Sequence, residues 1–166
     1  MKDQSSITAL MSAFGRAFHA ENEAHPVFRD LLAKELMTAE EYAAVQGYVL
    51  QGAQFFEPET DPAAQEPKAL LRRLVNTQLA PSPLCRAAYT EQALKAAAQT
   101  GTRQYVILGA GLDTFAFREP AFLAEGRVFE VDHPLTQADK LARIDRAGGA
   151  LKAFEHVNYC LAIREE

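Results

Sequence analysis

The sequence predicts an α/β protein: a helical N-terminal region, then a parallel sheet. Three observations carry this. Apolar residues recur at helical spacing through most of the first hundred positions. Two short β-branched runs follow, Gln104-Tyr-Val-Ile-Leu108 and Val128-Phe-Glu-Val131, stopped by Gly109 and Asp132. A helical stretch then opens at His133-Pro134 and ends at Gly148-Gly149, ahead of a third strand candidate over 156–163. Strand, helix, strand, helix, strand at this spacing implies parallel pairing with right-handed crossovers.

The elements follow in order. Ser5 or Ser6 can cap a first helix with Ile7, Leu10, Met11, Phe14 and Phe18 on one face. His25-Pro26 ends it, because proline disfavours α geometry in the residue before it. Pro26 suits the first turn of a short helix that points Val27, Phe28, Leu31, Leu32 and Leu36 inward. Thr38-Ala-Glu-Glu41 fits a capping box, with Tyr42, Val45, Gln46, Val49 and Ala53 behind it. Glu57 to Pro67 (EPETDPAAQEP) is an acidic, proline-rich loop. Lys68 to Leu79 is amphipathic, Pro81-Ser-Pro83 interrupts, and an alanine-rich helix runs from Leu84 to Thr100, with Gly101 at its left-handed cap. The helices before the first strand are too many for the α/β unit, so residues 1–100 read as a separate cap and 101–166 as the beginning of a Rossmann-like sheet.

Composition removes several function classes. The net charge is -5 and basic residues do not cluster beyond Arg72-Arg73, so the phosphate-neutralising stripe of a nucleic-acid binder is missing. No apolar run approaches the ~20 residues that span a bilayer, and Met1-Lys-Asp-Gln4 lacks a secretory signal's apolar core. Cys85 and Cys160 are isolated and read as reduced thiols of a cytoplasmic protein; His19, His25, His133 and His156 show no metal spacing.

Chemistry concentrates in the segment QYVILGAGLDTFAFR, residues 104–118. A strand runs into Gly109-Ala110-Gly111, where the missing side chains allow a sharp turn and close approach of a ligand. About twenty residues on, the second strand ends in Glu130-Val-Asp132, the place where a carboxylate accepts from ribose hydroxyls. A dinucleotide fingerprint wants a third glycine, and Thr114 stands there. Asp113 would also repel a pyrophosphate. S-adenosyl-L-methionine carries no phosphate and has a cationic sulfonium, so the same acidic loop suits it better than NAD. Asp113 has two readings, cofactor contact or hydrogen bonding within its own loop. Asp132 also has two, ribose contact or capping the helix at Pro134. Phe115 and Phe117 line a pocket or pack a helix. His133 has the titration range of a general base but reads more simply as a solvent-facing residue.

Residues 104–118 and 128–140 (VFEVDHPLTQADK) together resemble the leucine carboxyl methyltransferase family, including its bacterial O-methyltransferase-like members. TALMSAFGRAFHA and HPVFRDLLAKEL resemble the family's N-terminal helices, so the likeness covers nearly the whole chain. It implies a class I methyltransferase sheet and S-adenosyl-L-methionine as cofactor. The glycine loop, Gly109, Ala110 and Gly111, would cradle the methionine part; Asp132 would hold the ribose; Arg86 matches the family's arginine for the cofactor carboxylate. The implied reaction transfers a methyl group to a carboxylate or hydroxyl oxygen of a small molecule or peptide. No residue stands out as catalytic base, and no metal is expected.

The family's domain continues beyond a third strand, where this sequence stops. The first strand should therefore keep one apolar edge unpaired, which invites a swapped or edge-paired oligomer, a second polypeptide, or marginal stability. Two rivals to the methyltransferase reading remain: a fragment that binds cofactor weakly or serves only as an oligomerising module, and a nucleotide-cofactor oxidoreductase.

Overall fold

The computed structural model of the protein describes residues 6–118, 121–124 and 126–148, and the backbone of 157–161. Helix α1 (Ile7–Asn22) buries Ala13, Phe14, Ala17 and Phe18. Ser6 stands at its N-cap, but the hydroxyl pairs with Thr8 Oγ1 at 2.6 Å instead of capping a backbone N–H. The helix ends before His25-Pro26, as expected.

The helix expected from Pro26 is much shorter. Only α2 (Leu32–Glu35) forms, and Val27 and Leu31 are 68% and 46% exposed rather than inward. Two side chains explain this. His19 Nε2 accepts the Val27 N–H at 3.1 Å, and Asp30 Oδ1 accepts the Ala33 N–H at 3.2 Å, so helical bonding starts only after Asp30.

Helix α3 (Ala39–Gln51) begins with the full capping box: Glu41 N–H donates to Thr38 Oγ1 and Thr38 N–H to Glu41 Oε2. Val45, Val49 and Ala53 are buried, the last at the start of α4 (Ala53–Phe56). The acidic loop holds one 3-10 turn, Pro62–Ala64. Helix α5 (Pro67–Leu74) continues into a π turn, Val75–Leu79, so the continuous helix expected there changes pitch midway. Pro81-Ser-Pro83 does not interrupt: α6 (Pro81–Gln99) starts on it, because a proline's missing N–H costs nothing in a first turn. Gly101 follows with φ +103°.

Strands β1 (Gln104–Leu108), β2 (Arg127–Asp132) and β3 (Val157–Leu161) form a parallel sheet in the order β1-β2-β3, with Val106 opposite Phe129 and Glu130 opposite Tyr159. The flanks of the longer β3 expected, His156 and Ala162–Ile163, lie outside the described residues, as does Gly149. A single turn, α7 (Phe115–Arg118), follows β1, and α8 (Pro134–Ala147) follows β2. One hydrophobic cluster runs through helices and sheet together, from Phe14, Leu36 and Leu74 to Phe115 and Val128. Arg143 of α8 reinforces this, donating to both carboxylate oxygens of Glu41 at 2.6 and 2.7 Å and to the Leu36 carbonyl at 2.9 Å. Strand β1 stands at the edge of the described sheet, with Val106 51% and Leu108 77% exposed.

Candidate functional site

A cavity of about 690 Å³ opens beyond the carboxyl ends of β1 and β2, where open parallel sheets bind ligands. The start of α1, the outer face of α6 and the glycine turn wall it. Arg86, Gly109, Ala110, Gly111, Asp113 and Asp132, which the sequence singles out, all line it.

The glycine turn is built differently from a simple cradle of free amides. Gly109 N–H and Ala110 N–H both donate to the Val131 carbonyl, at 2.8 and 3.3 Å. Gly111 N–H donates to Asp132 Oδ2 at 2.5 Å. The three amides are therefore committed inside the protein. The glycines supply backbone shape instead: φ is +68° at Gly109 and +49° at Gly111, a region that costs other residues roughly 1–2 kcal/mol. A Cβ added at Gly109 would meet nothing within 4 Å, and one at Gly111 would press on Ala9 Cβ at 3.2 Å.

Asp132 ends β2. Its Oδ1 accepts the His133 N–H at 2.6 Å. Each oxygen thus has one bond from the backbone, and a carboxylate has about four acceptor positions in all, which leaves room for hydroxyl donors from the cavity side. It does not cap α8; that falls to exposed His133, whose Nδ1 accepts the Leu135 N–H at 3.3 Å. His133 does not line the cavity.

Asp113 Oδ1 accepts the Phe115 N–H at 2.7 Å, the within-loop bond weighed from the sequence, while the residue also faces the cavity. Phe115 does both jobs considered for it: it lines the cavity and packs edge-on to Tyr105, ring centres 4.9 Å apart. Phe117 is buried under the Lys140 ammonium, 5.6 Å from its ring centre, and packs only. Burial, reinforced by the negative charge of Asp113, pushes the Tyr105 hydroxyl up to about 12.

Several wall residues had no signal in the sequence. Ser12 and Arg16 come from α1, Thr90 and Glu91 from α6, and Thr136 from α8. Arg16 is spoken for by Asp30 and the Leu112 carbonyl, and Glu91 by Arg118. Arg86 is exposed, with no ion pair to a described residue, so it is the uncommitted cation of the wall. Below the site, Glu130 of β2 pairs with Lys140 at 2.5 Å, both nearly fully buried. Burial raises the Glu130 carboxyl above its usual range despite the pull of Lys140.

The donor set fits a sulfonium nucleoside better than a pyrophosphate. Three carboxylates line the cavity, Asp113, Asp132 and the Arg118-paired Glu91; α7 is a single turn, and Asp113 already occupies the Phe115 N–H where a phosphate oxygen would bind. Among the described residues no helix is long and apolar enough to cross a membrane, and no cluster of His, Cys, Asp or Glu could hold a metal ion.

Comparison with known proteins points to the same cofactor. The chain is 40% identical over 156 residues to YktD of Bacillus subtilis, covering 93% of this chain and 51% of that protein. A Streptomyces coelicolor relative is 33% identical over 159 residues, 96% of this chain and 49% of its own length. A Mycobacterium tuberculosis relative is 29% identical over 164 residues, 96% and 47%. All three carry provisional names as S-adenosyl-L-methionine-dependent methyltransferases. The chain spans about half the length of these relatives. The family model described as leucine carboxyl methyltransferase matches residues 9–163, and on that match this chain belongs to the leucine carboxyl methyltransferase family.

Proposed function

We propose that this chain provides the S-adenosyl-L-methionine-binding part of a methyltransferase that acts on a carboxylate or hydroxyl oxygen of a small molecule or peptide. The observation that carries the reading is the convergence of Asp113, Asp132 and uncommitted Arg86 on one cavity beside a turn with bare backbone at Gly109 and Gly111. When bound, the cofactor supplies a methyl group already activated by its sulfonium, ready for in-line transfer to an acceptor oxygen.

The residues' roles follow from their charge and partners. Asp132 accepts from the ribose hydroxyls with the lone pairs its backbone donors leave open. Arg86 pairs with the amino-acid carboxylate, a charge-assisted contact worth more than a neutral one. Asp113 favours the cationic end of the ligand. The bare backbone at Gly109 lets the ligand lie against the strand end. Among the described residues none is assigned as catalytic base, and the contribution proposed for them is positioning.

The edge of β1 that no described strand pairs is the line along which another strand would add, from a second copy of this chain or another polypeptide. Cys85 is a free, exposed thiol, which supports placement in a reducing compartment such as the cytoplasm.

Calorimetric titration with S-adenosylhomocysteine tests the cofactor assignment. The expected result is micromolar binding that Asp132→Asn weakens by about tenfold, the scale of a lost charged hydrogen bond. Silence with S-adenosylhomocysteine alongside NADH binding, seen by fluorescence, would replace this reading with the oxidoreductase one.

A further inference from the structure

The loop after β1 is held from the helical cap by a buried polar network. Asp30, fully buried between α1 and α2, accepts at Oδ2 from Arg16 Nε (2.8 Å) and from Thr114 Oγ1 (2.7 Å). Arg16 is 7% exposed; its Nη2 donates to the Leu112 carbonyl at 2.6 Å and its Nη1 to Ser12 Oγ at 2.9 Å. Thr114, 1% exposed, also accepts from Arg118 Nε at 3.1 Å. Residues 112 and 114 are thus both tied down, one on each side of Asp113, and one carboxylate holds both ties.

We infer that Asp30 is a positioning residue for cofactor binding: through Arg16 and Thr114 it locks the 112–114 backbone so that Asp113 stays turned into the cavity. The inference rests on the S-adenosyl-L-methionine reading of the cavity. A buried ion pair is weak evidence for stability, because apolar replacements of similar volume often do as well. It does fix geometry, since every rotation of the loop would break a buried bond. A loop ordered beforehand spares the ligand the entropic cost of ordering it. The network also gives Thr114 a purpose: the residue that replaces the third glycine of a dinucleotide loop supplies the hydroxyl that reaches Asp30.

The test uses the whole chain with Asp30→Asn, with Thr114→Val, which removes one hydroxyl at nearly constant volume, and with Thr114→Ser, which restores it. Melting temperature, hydrogen exchange over residues 109–118 without ligand, and S-adenosylhomocysteine affinity are measured together. Thr114→Val loses the hydroxyl's bond to Asp30 and the one from Arg118, so it should melt a few degrees below the wild type, exchange faster in this loop only, and bind about tenfold more weakly. Thr114→Ser should behave as the wild type, and Asp30→Asn, where it folds, should show the larger effect of the same kind. Wild-type loop exchange in Thr114→Val overturns the inference whatever the affinity; so does wild-type affinity in a chain whose loop exchange has risen. Should the unmutated chain bind no S-adenosylhomocysteine, the cofactor reading fails instead, and exchange alone decides whether Asp30 locks the loop.

Discussion

Alanine at Gly111 and alanine at Gly109 should have separable effects. Both glycines have positive φ, +49° and +68°, so both variants bear the left-handed strain of roughly 1–2 kcal/mol. Reduced unfolded-chain entropy cannot compensate where the native φ is wrong for alanine. Only Gly111 adds a contact: the new methyl sits 3.2 Å from Ala9 Cβ, so the first turn of α1 must give way by a few tenths of an ångström. A total of about 2–3 kcal/mol follows for Gly111→Ala, the added part being of the order of mild overpacking. At about 2–4 °C per kcal/mol for a chain of this size, Gly109→Ala should melt about 2–8 °C below the wild type and Gly111→Ala about 4–12 °C below. Thermal melts by circular dichroism give both numbers. Ala9→Gly, combined with Gly111→Ala in a double-mutant cycle, should return the contact part and leave the dihedral part. Ligand affinity should move the other way: Gly109→Ala places its methyl in open space at the cavity and should weaken S-adenosylhomocysteine more than its melt suggests. Equal melts for the two variants, or a cycle without coupling to Ala9, would refute the reasoning.

Other outcomes follow from the charges and the sheet edge. Lys140→Met leaves the Glu130 carboxylate buried alone and should cost about 3–5 kcal/mol in urea unfolding at neutral pH; because burial raises the folded-state pKa of Glu130, the deficit should shrink as pH falls and the carboxyl protonates, and adding Glu130→Leu should recover most of it. Glu23 is held down to about 2, chiefly by its hydrogen bonds from Arg72, so it contributes stability above its ordinary 4.5 that is lost as pH falls toward 2; Glu23→Gln should flatten that part of the acid-stability curve. Light scattering should find concentration-dependent association through the β1 edge, which Val106→Lys suppresses.

Much of the architecture was legible because it is local. The capping box of α3, the period change at Gln104 and the stops at Gly109 and Asp132 are all set within a few residues. The misreadings came from side-chain bonds that apolar spacing does not encode. His19 and Asp30 lie close to Pro26 in sequence, yet the helical pattern does not show that they will take the Val27 and Ala33 amides and hold the segment out of a helix. The proline pair at 81–83 can start a helix as well as stop one, and only the preceding π turn decides between them. In the site, residue types and spacing brought out the glycine turn, Asp113 and Asp132, the family resemblance added Arg86, and all six positions line one cavity. These signals did not reveal that the turn's amides are internally satisfied, since Val131 and Asp132 must first be seen beside it. Asp30 and Thr114 lie 84 positions apart, and a polar pair at that range leaves no periodicity.

The internally satisfied turn has a kinetic meaning. A nucleoside entering this cavity breaks no backbone pair and finds a surface already in its final shape, so capture reduces to diffusion and orientation. On the proposed function, selectivity then rests with side chains the fold leaves uncommitted, such as Arg86, and with the spare lone pairs of Asp132, and changing what this scaffold recognises would mean rewriting side chains around a fixed bend.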